Sequence, residues 1–77
     1  MTVQVITRAW CGIELNHGVF DSMDAARQRL KQRIAWAEKQ GCEIKRHSPT
    51  VVEIGEPINA GMVPDYCGML RIEKVKQ

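Results

Sequence analysis

The sequence predicts an α+β domain in which one amphipathic helix packs on an antiparallel sheet of four to five strands, in the order β-β-α-β-β-β. Three observations lead there. One segment, and only one, has apolar residues repeating at helical spacing between a good start signal and a good stop signal. Short segments on both sides of it alternate apolar and polar residues with the period of two that marks a strand. The connections are short, which favours neighbouring strands running in opposite directions beneath a helix on one face. At 77 residues the chain has room for one domain, residues 1–77.

The first strand is expected over residues 2–8, with Val3 and Val5 on one face and Gln4 and Ile6 on the other. A second is expected over residues 13–20. Ile13 and Leu15 alternate with Glu14, Asn16-His17-Gly18 is a turn or bulge signal, and Val19-Phe20 resumes the apolar character. The preferred pairing is a hairpin closed near Trp10-Cys11-Gly12. A tighter hairpin around Asn16-His17-Gly18 is the alternative.

The helix follows. Asp21 and Ser22 are both good N-caps, and Asp24 adds an acid to the first turn, where the helix dipole favours it. Gly41 suits the position just past the end, after Lys39 in the last turn. Met23, Ala26, Leu30, Ile34 and Ala37 are spaced 3, 4, 4 and 3 residues apart, which makes one stripe that must face the sheet. Three strands are expected after it. In residues 42–47, Cys42 and Ile44 oppose Glu43 and Lys45. In residues 50–54, Val52 and Ile54 oppose Val51 and Glu53, after a turn through His47-Ser48-Pro49. In residues 68–75, Leu70 and Ile72 oppose Arg71 and Glu73. Between the last two, a loop from Gly55 to Pro64 is long for a domain of this size. The sheet face away from the helix must be polar or bind something.

Composition narrows the function classes. Hydrophobic residues make up 44% and charged residues 26%, as in ordinary folded proteins. No signal peptide is visible and the apolar runs are too short to span a membrane, so the expected setting is the cytoplasm, with no membrane partner. Cys11, Cys42 and Cys67 are odd in number and read as buried thiols without a disulfide framework. The net charge of +2 does not dictate a partner.

No catalytic site is recognisable. Zinc would want close ligand pairs, and the three cysteines with His17 and His47 supply no Cys-x-x-Cys or spaced His pair, so no metal or other cofactor is expected. A cysteine–histidine nucleophile could pair Cys11 with His17, but no oxyanion turn accompanies it, and both histidines read as solvent-exposed turn residues. Glu53, Glu56 and Asp65 read as loop carboxylates without a cleft. No glycine-rich phosphate loop is present.

Binding is the remaining chemistry. On a helical wheel Arg29, Arg33, Trp36 and Gln40 fall together beside the buried stripe, and Lys45 and Arg46 add basic residues on a strand. An aromatic ring among arginines can stack on a base or grip a phosphate. Trp, Tyr and Arg are equally the side chains of protein-binding hot spots, which brings in Tyr66. The bland alternative folds Trp36 over the sheet edge and leaves the arginines as a solvated face.

The layout of a hairpin, then Phe20-Asp21-Ser22-Met23-Asp24-Ala25-Ala26-Arg27, then a helix and further strands, resembles the very small phage-encoded or mobile-element proteins that include the anti-CRISPR proteins. Many of these are single α+β domains that block a host nuclease complex by direct contact. The resemblance implies a non-enzymatic inhibitor whose partner is a larger protein or ribonucleoprotein complex. The alternative is a small nucleic-acid-binding module using the basic helix face. The sequence is compatible with a monomer or, through an exposed edge strand, a homodimer.

Overall fold

In the computed structural model, which describes residues 2–57 and 67–75, the predicted order of elements is present: β1 (Val3–Ala9), β2 (Glu14–Phe20), α1 (Met23–Lys39), β3 (Cys42–Ser48), β4 (Val51–Pro57) and β5 (Gly68–Lys74). The five strands form one antiparallel sheet in the order β2-β1-β5-β4-β3, with α1 on one face. The late strand β5 inserts between β1 and β4, so the two halves of the chain share one sheet.

Topology sets the seat of the helix. The chain leaves β2 at one edge of the sheet and must re-enter at β3, the other edge. Alternating strand directions put the end of β2 and the start of β3 at opposite ends of the sheet. A 17-residue helix is about 25 Å long, and five strands span about 19 Å from edge to edge, so α1 can make the crossing obliquely. Ser22 caps it, its hydroxyl accepting a hydrogen bond from the Ala25 N–H at 3.2 Å. Gly41 ends it in the left-handed conformation (φ +83°). The stripe read from spacing is the one that packs: Ala26, Leu30, Ile34 and Ala37 are buried, with Met23 partly buried at the start. Beneath them lie Val3 and Val5 of β1, Val52 and Ile54 of β4, Leu70 and Ile72 of β5, and Cys42 of β3.

The β1–β2 hairpin closes through Trp10–Gly12, where the Gly12 N–H bonds the Ala9 carbonyl at 3.0 Å. Asn16-His17-Gly18 is therefore a bulge and no tight turn. Val5 faces Gly18 and the next residue, Ile6, faces Asn16, which leaves His17 as the extra residue. The Asn16 side chain accepts from the Gly18 N–H at 2.8 Å and holds the kink. The ladder of the other edge strand, β3, also shifts register twice: between Cys42 and Ile44 the extra residue lies in β4, and between Arg46 and Ser48 it is His47 of β3.

β4 outruns its expected end. The ladder to β3 carries it through Gly55 to Pro57, opposite Cys42, where a loop was expected to begin at Gly55. The remainder of that expected loop lies outside the described residues. Gly55 permits the close packing, since a Cβ there would stand 3.3 Å from Glu43 Cβ.

Among the described residues the face away from α1 is mainly polar, but Ile6 on it is fully buried. Arg71 is its partner on β5. Arg8, two residues further on, forms ion pairs with Glu14 at 3.1 Å and with Glu73 at 2.5 Å. Glu73 stands opposite Gln4, so the Arg8–Glu73 bridge has to cross the position of Ile6. The aliphatic stems of long cations cover apolar surface while their heads stay wet.

Two expectations follow for stability. Leu30→Ala should lower the unfolding free energy by about 2–5 kcal/mol in urea titrations, because the site is buried and closely surrounded. Gly68→Ala should cost about 1–3 kcal/mol, since its Cβ would fall 2.6 Å from Ala9 Cα and closer still to the Arg8 carbonyl. A Gly68→Ala protein as stable as the parent would contradict this packing of β5 against β1.

Candidate functional site

The helix presents two flanks, and the structure divides the predicted binding residues between them and the far side of the sheet. Arg29, Arg33 and Trp36 lie along the flank that overlooks β2. Arg29 reaches down to that strand: its Nε donates to the His17 carbonyl at 2.9 Å and its Nη1 to Gln32 Oε1 at 3.1 Å. Arg33 lies over the Trp36 ring, with its guanidinium carbon 4.5 Å from the ring centroid. Such a contact at an exposed site contributes about 0.5–1 kcal/mol and holds both side chains in place. Trp36 remains 37% exposed. Gln40 is the C-cap residue, its N–H bonded to the Trp36 and Ala37 carbonyls, and it prolongs this flank by one turn.

Lys45 and Arg46 do not join this group. β3 is the opposite edge of the sheet from β2. Lys45 stands opposite Glu53 on the face away from the helix, while Arg46 stands opposite Val52 on the helix face and lies 3.7 Å from Glu38. A helical wheel orders side chains around one helix, but it does not say which sheet edge each flank overlooks. Tyr66 lies outside the described residues.

His17 belongs to the site, although it was expected to be an exposed turn residue. The bulge turns it under the helix, where its Nε2 shares a 2.7 Å hydrogen bond with Thr7 Oγ1, and Thr7 is itself buried. Burial, and then the positive charges of Arg33 and Arg29, push its pKa down to about 4. The imidazole is therefore neutral near pH 7. The Asn-His-Gly signal was visible in the sequence; the helix above it was not. His47 was also expected in a turn. It is an exposed residue within β3, 3.1 Å from Glu53.

The other candidate chemistry is dispersed. Cys11 is exposed, and the expectation of three buried thiols fails there, because it sits in the turn between β1 and β2. Cys42 and Cys67 are buried, and the Cys67 thiol donates to the Gly55 carbonyl at 3.4 Å. Among the described residues no group of three or more His, Cys, Asp or Glu could hold a metal ion. Among them, too, no helix is long and apolar enough to cross a membrane. No protein-family model matches the chain, and no curated protein or solved structure matches it.

The neutral His17 has a measurable consequence. Its folded pKa lies below the ordinary 6.5, so its contribution to stability is fully present above pH 6.5 and is lost as the pH falls towards 4. Across that window the wild type should lose stability more steeply than His17→Gln. The double variant Arg29→Glu/Arg33→Glu should raise the His17 pKa in an NMR titration. An unchanged His17 titration in that variant would place the two guanidiniums farther from the ring than described.

Proposed function

We propose that this protein is a non-enzymatic binding domain that inhibits a larger macromolecular complex by occupying its surface, with the β2-side flank of α1 as the docking face. The observation that supports this reading is the segregation of charge. α1 carries Arg27, Arg29, Lys31, Arg33 and Lys39 against Asp24 and Glu38. On the opposite side of the sheet, by contrast, Arg8 pairs with Glu14 and Glu73, and His47 with Glu53. The helix layer therefore keeps an excess of positive charge, and an acidic partner surface is its complement. Such complementarity steers encounter and fixes orientation.

A protein surface suits the flank better than nucleic acid does. Base stacking wants an open aromatic face, and Arg33 already lies over the Trp36 ring. Arg29 is tethered to His17 and Gln32, so the flank is a preorganised arginine–tryptophan surface, the composition of a protein hot spot. In the finer reading, which follows the resemblance to anti-CRISPR proteins, the complex is a host nuclease ribonucleoprotein met in the cytoplasm.

Affinity capture from a bacterial lysate, with and without nuclease, tests both levels. A defined protein complex should be retained after nuclease treatment. Its recovery should fall about tenfold or more with Arg29→Glu/Arg33→Glu and with Trp36→Ala. Recovery of nucleic acid alone, released by moderate salt, would replace this reading with that of a nucleic-acid-binding module.

A further inference from the structure

The opposite flank of α1 borders a groove that the docking face does not use. Because the helix crosses the sheet obliquely, it leaves the tip of the β3–β4 hairpin uncovered. A groove of about 550 Å³ opens there between helix and hairpin. Its floor is apolar, formed by Leu30 and Ile34 of the helix and Val52 of β4, with Pro49 at the hairpin end. Its two walls are cationic. Arg27 and Lys31, one turn apart, stand on the helix side, and Arg46 stands on the strand side. Arg46 is within 3.7 Å of Glu38, the one acid that lines the groove. Among the described residues, Arg27 and Lys31 have no carboxylate within ion-pair distance.

From this arrangement we infer that the groove is a second binding site, for an acidic peptide segment that inserts an aliphatic or aromatic anchor between its carboxylates. The volume is that of an ordinary ligand site, which typically measures about 300–1,000 Å³. From Arg27 to Glu38 the helix wall runs about 16 Å, the reach of roughly five extended residues. Two cations without a carboxylate on the helix wall, one turn apart, and a third shared with Glu38 on the strand wall call for two or more carboxylates around an apolar side chain. A single-headed amphiphile would satisfy one of them. A peptide laid in such a groove pairs its acids with Arg27 and Lys31, with Arg46 shared between the peptide and Glu38, and buries its anchor against Leu30, Ile34 and Val52. Preference for an acidic, apolar segment then comes from the wall charges, and exclusion of basic segments from the same charges. The site stands whether or not the Arg29–Trp36 flank docks on anything, because it shares no side chain with that flank.

A random-peptide library selected on the folded protein tests this without foreknowledge of the partner. The enriched sequences should combine two or more carboxylates with an aliphatic or aromatic residue within about five positions. Their affinity, measured by fluorescence anisotropy with the selected peptides themselves, should fall tenfold or more in Arg27→Glu/Lys31→Glu. It should also fall in Ala35→Trp, which plugs the groove from an exposed helix position. Arg29→Gln/Arg33→Gln should weaken their binding far less than Arg27→Gln/Lys31→Gln, although both pairs remove the same charge from the helix. Circular dichroism should show all four variants folded, and Lys31→Gln is the milder substitute if a charge reversal unfolds the chain. The inference is overturned if no sequence is enriched over the Ala35→Trp protein. It is equally overturned if the enriched peptides lack acids or bind the Arg29–Trp36 flank instead. A further overturning result is long-chain carboxylate carried by the purified protein in native mass spectrometry and displaced only by other amphiphiles.

Discussion

The oblique crossing of α1 is the constraint from which the rest of this structure follows. The helix cannot lie along the strands, because it leaves one sheet edge and must deliver the chain to the other edge at the opposite end. Its buried stripe therefore meets side chains from β1, β3, β4 and β5, and one helix is enough to cover the centre of the apolar face. The same diagonal divides the open part of that face into two regions. One is bordered by β2 and receives Arg29, Arg33 and Trp36; the other is bordered by the β3–β4 hairpin and receives Arg27 and Lys31. Each flank thus has its own neighbours, and the two basic groups of one helix are separate surfaces.

Around this frame, local devices resolve what a regular sheet would leave unsettled. The extra residue in β2 passes the inward side from Phe20 and Gly18 to Leu15, so that each half of the strand matches β1, while the His17 ring meets Thr7 and the His17 carbonyl accepts from Arg29. On the uncovered face, Ile6 needs shelter from water and has no helix above it. The ion-paired side chains of Arg8 and Glu73 run across its position, and Glu73 Oε1 is itself buried there. Both solutions use long polar residues for their carbon stems or their reach as well as for their charge.

The legibility of the fold follows from how local each signal is. Ser22, Gly41 and the five-residue stripe sit within one helix, so cap, stop and buried face could all be read from spacing. The faces of Val3 and Val5, Cys42 and Ile44, Val52 and Ile54, and Leu70 and Ile72 follow from alternation alone, and each pair lies where alternation places it. What escaped was non-local. Ile6 reads as an outward residue, yet it is buried where Arg8 and Glu73, 65 positions apart in the chain, pair across its position. His17 reads as a turn until the helix is laid over it. Lys45 and Arg46 are adjacent in sequence yet stand on opposite faces of an edge strand remote from Arg29. Arg27 and Lys31 look like a solvated helix surface until the hairpin of β3 and β4 rises beside them.

The bulges that interrupt both outer strands have a further effect. A straight, regular rim would offer a ladder of amides and carbonyls to any extended segment, whether another molecule of this protein or a misfolded chain. Here β2 carries an extra residue at His17, and β3 carries one at His47. A strand laid against either rim would fall out of phase within a few residues, which suppresses sheet extension and fibrous growth. Backbone pairing along either rim is thus less regular than along an uninterrupted strand.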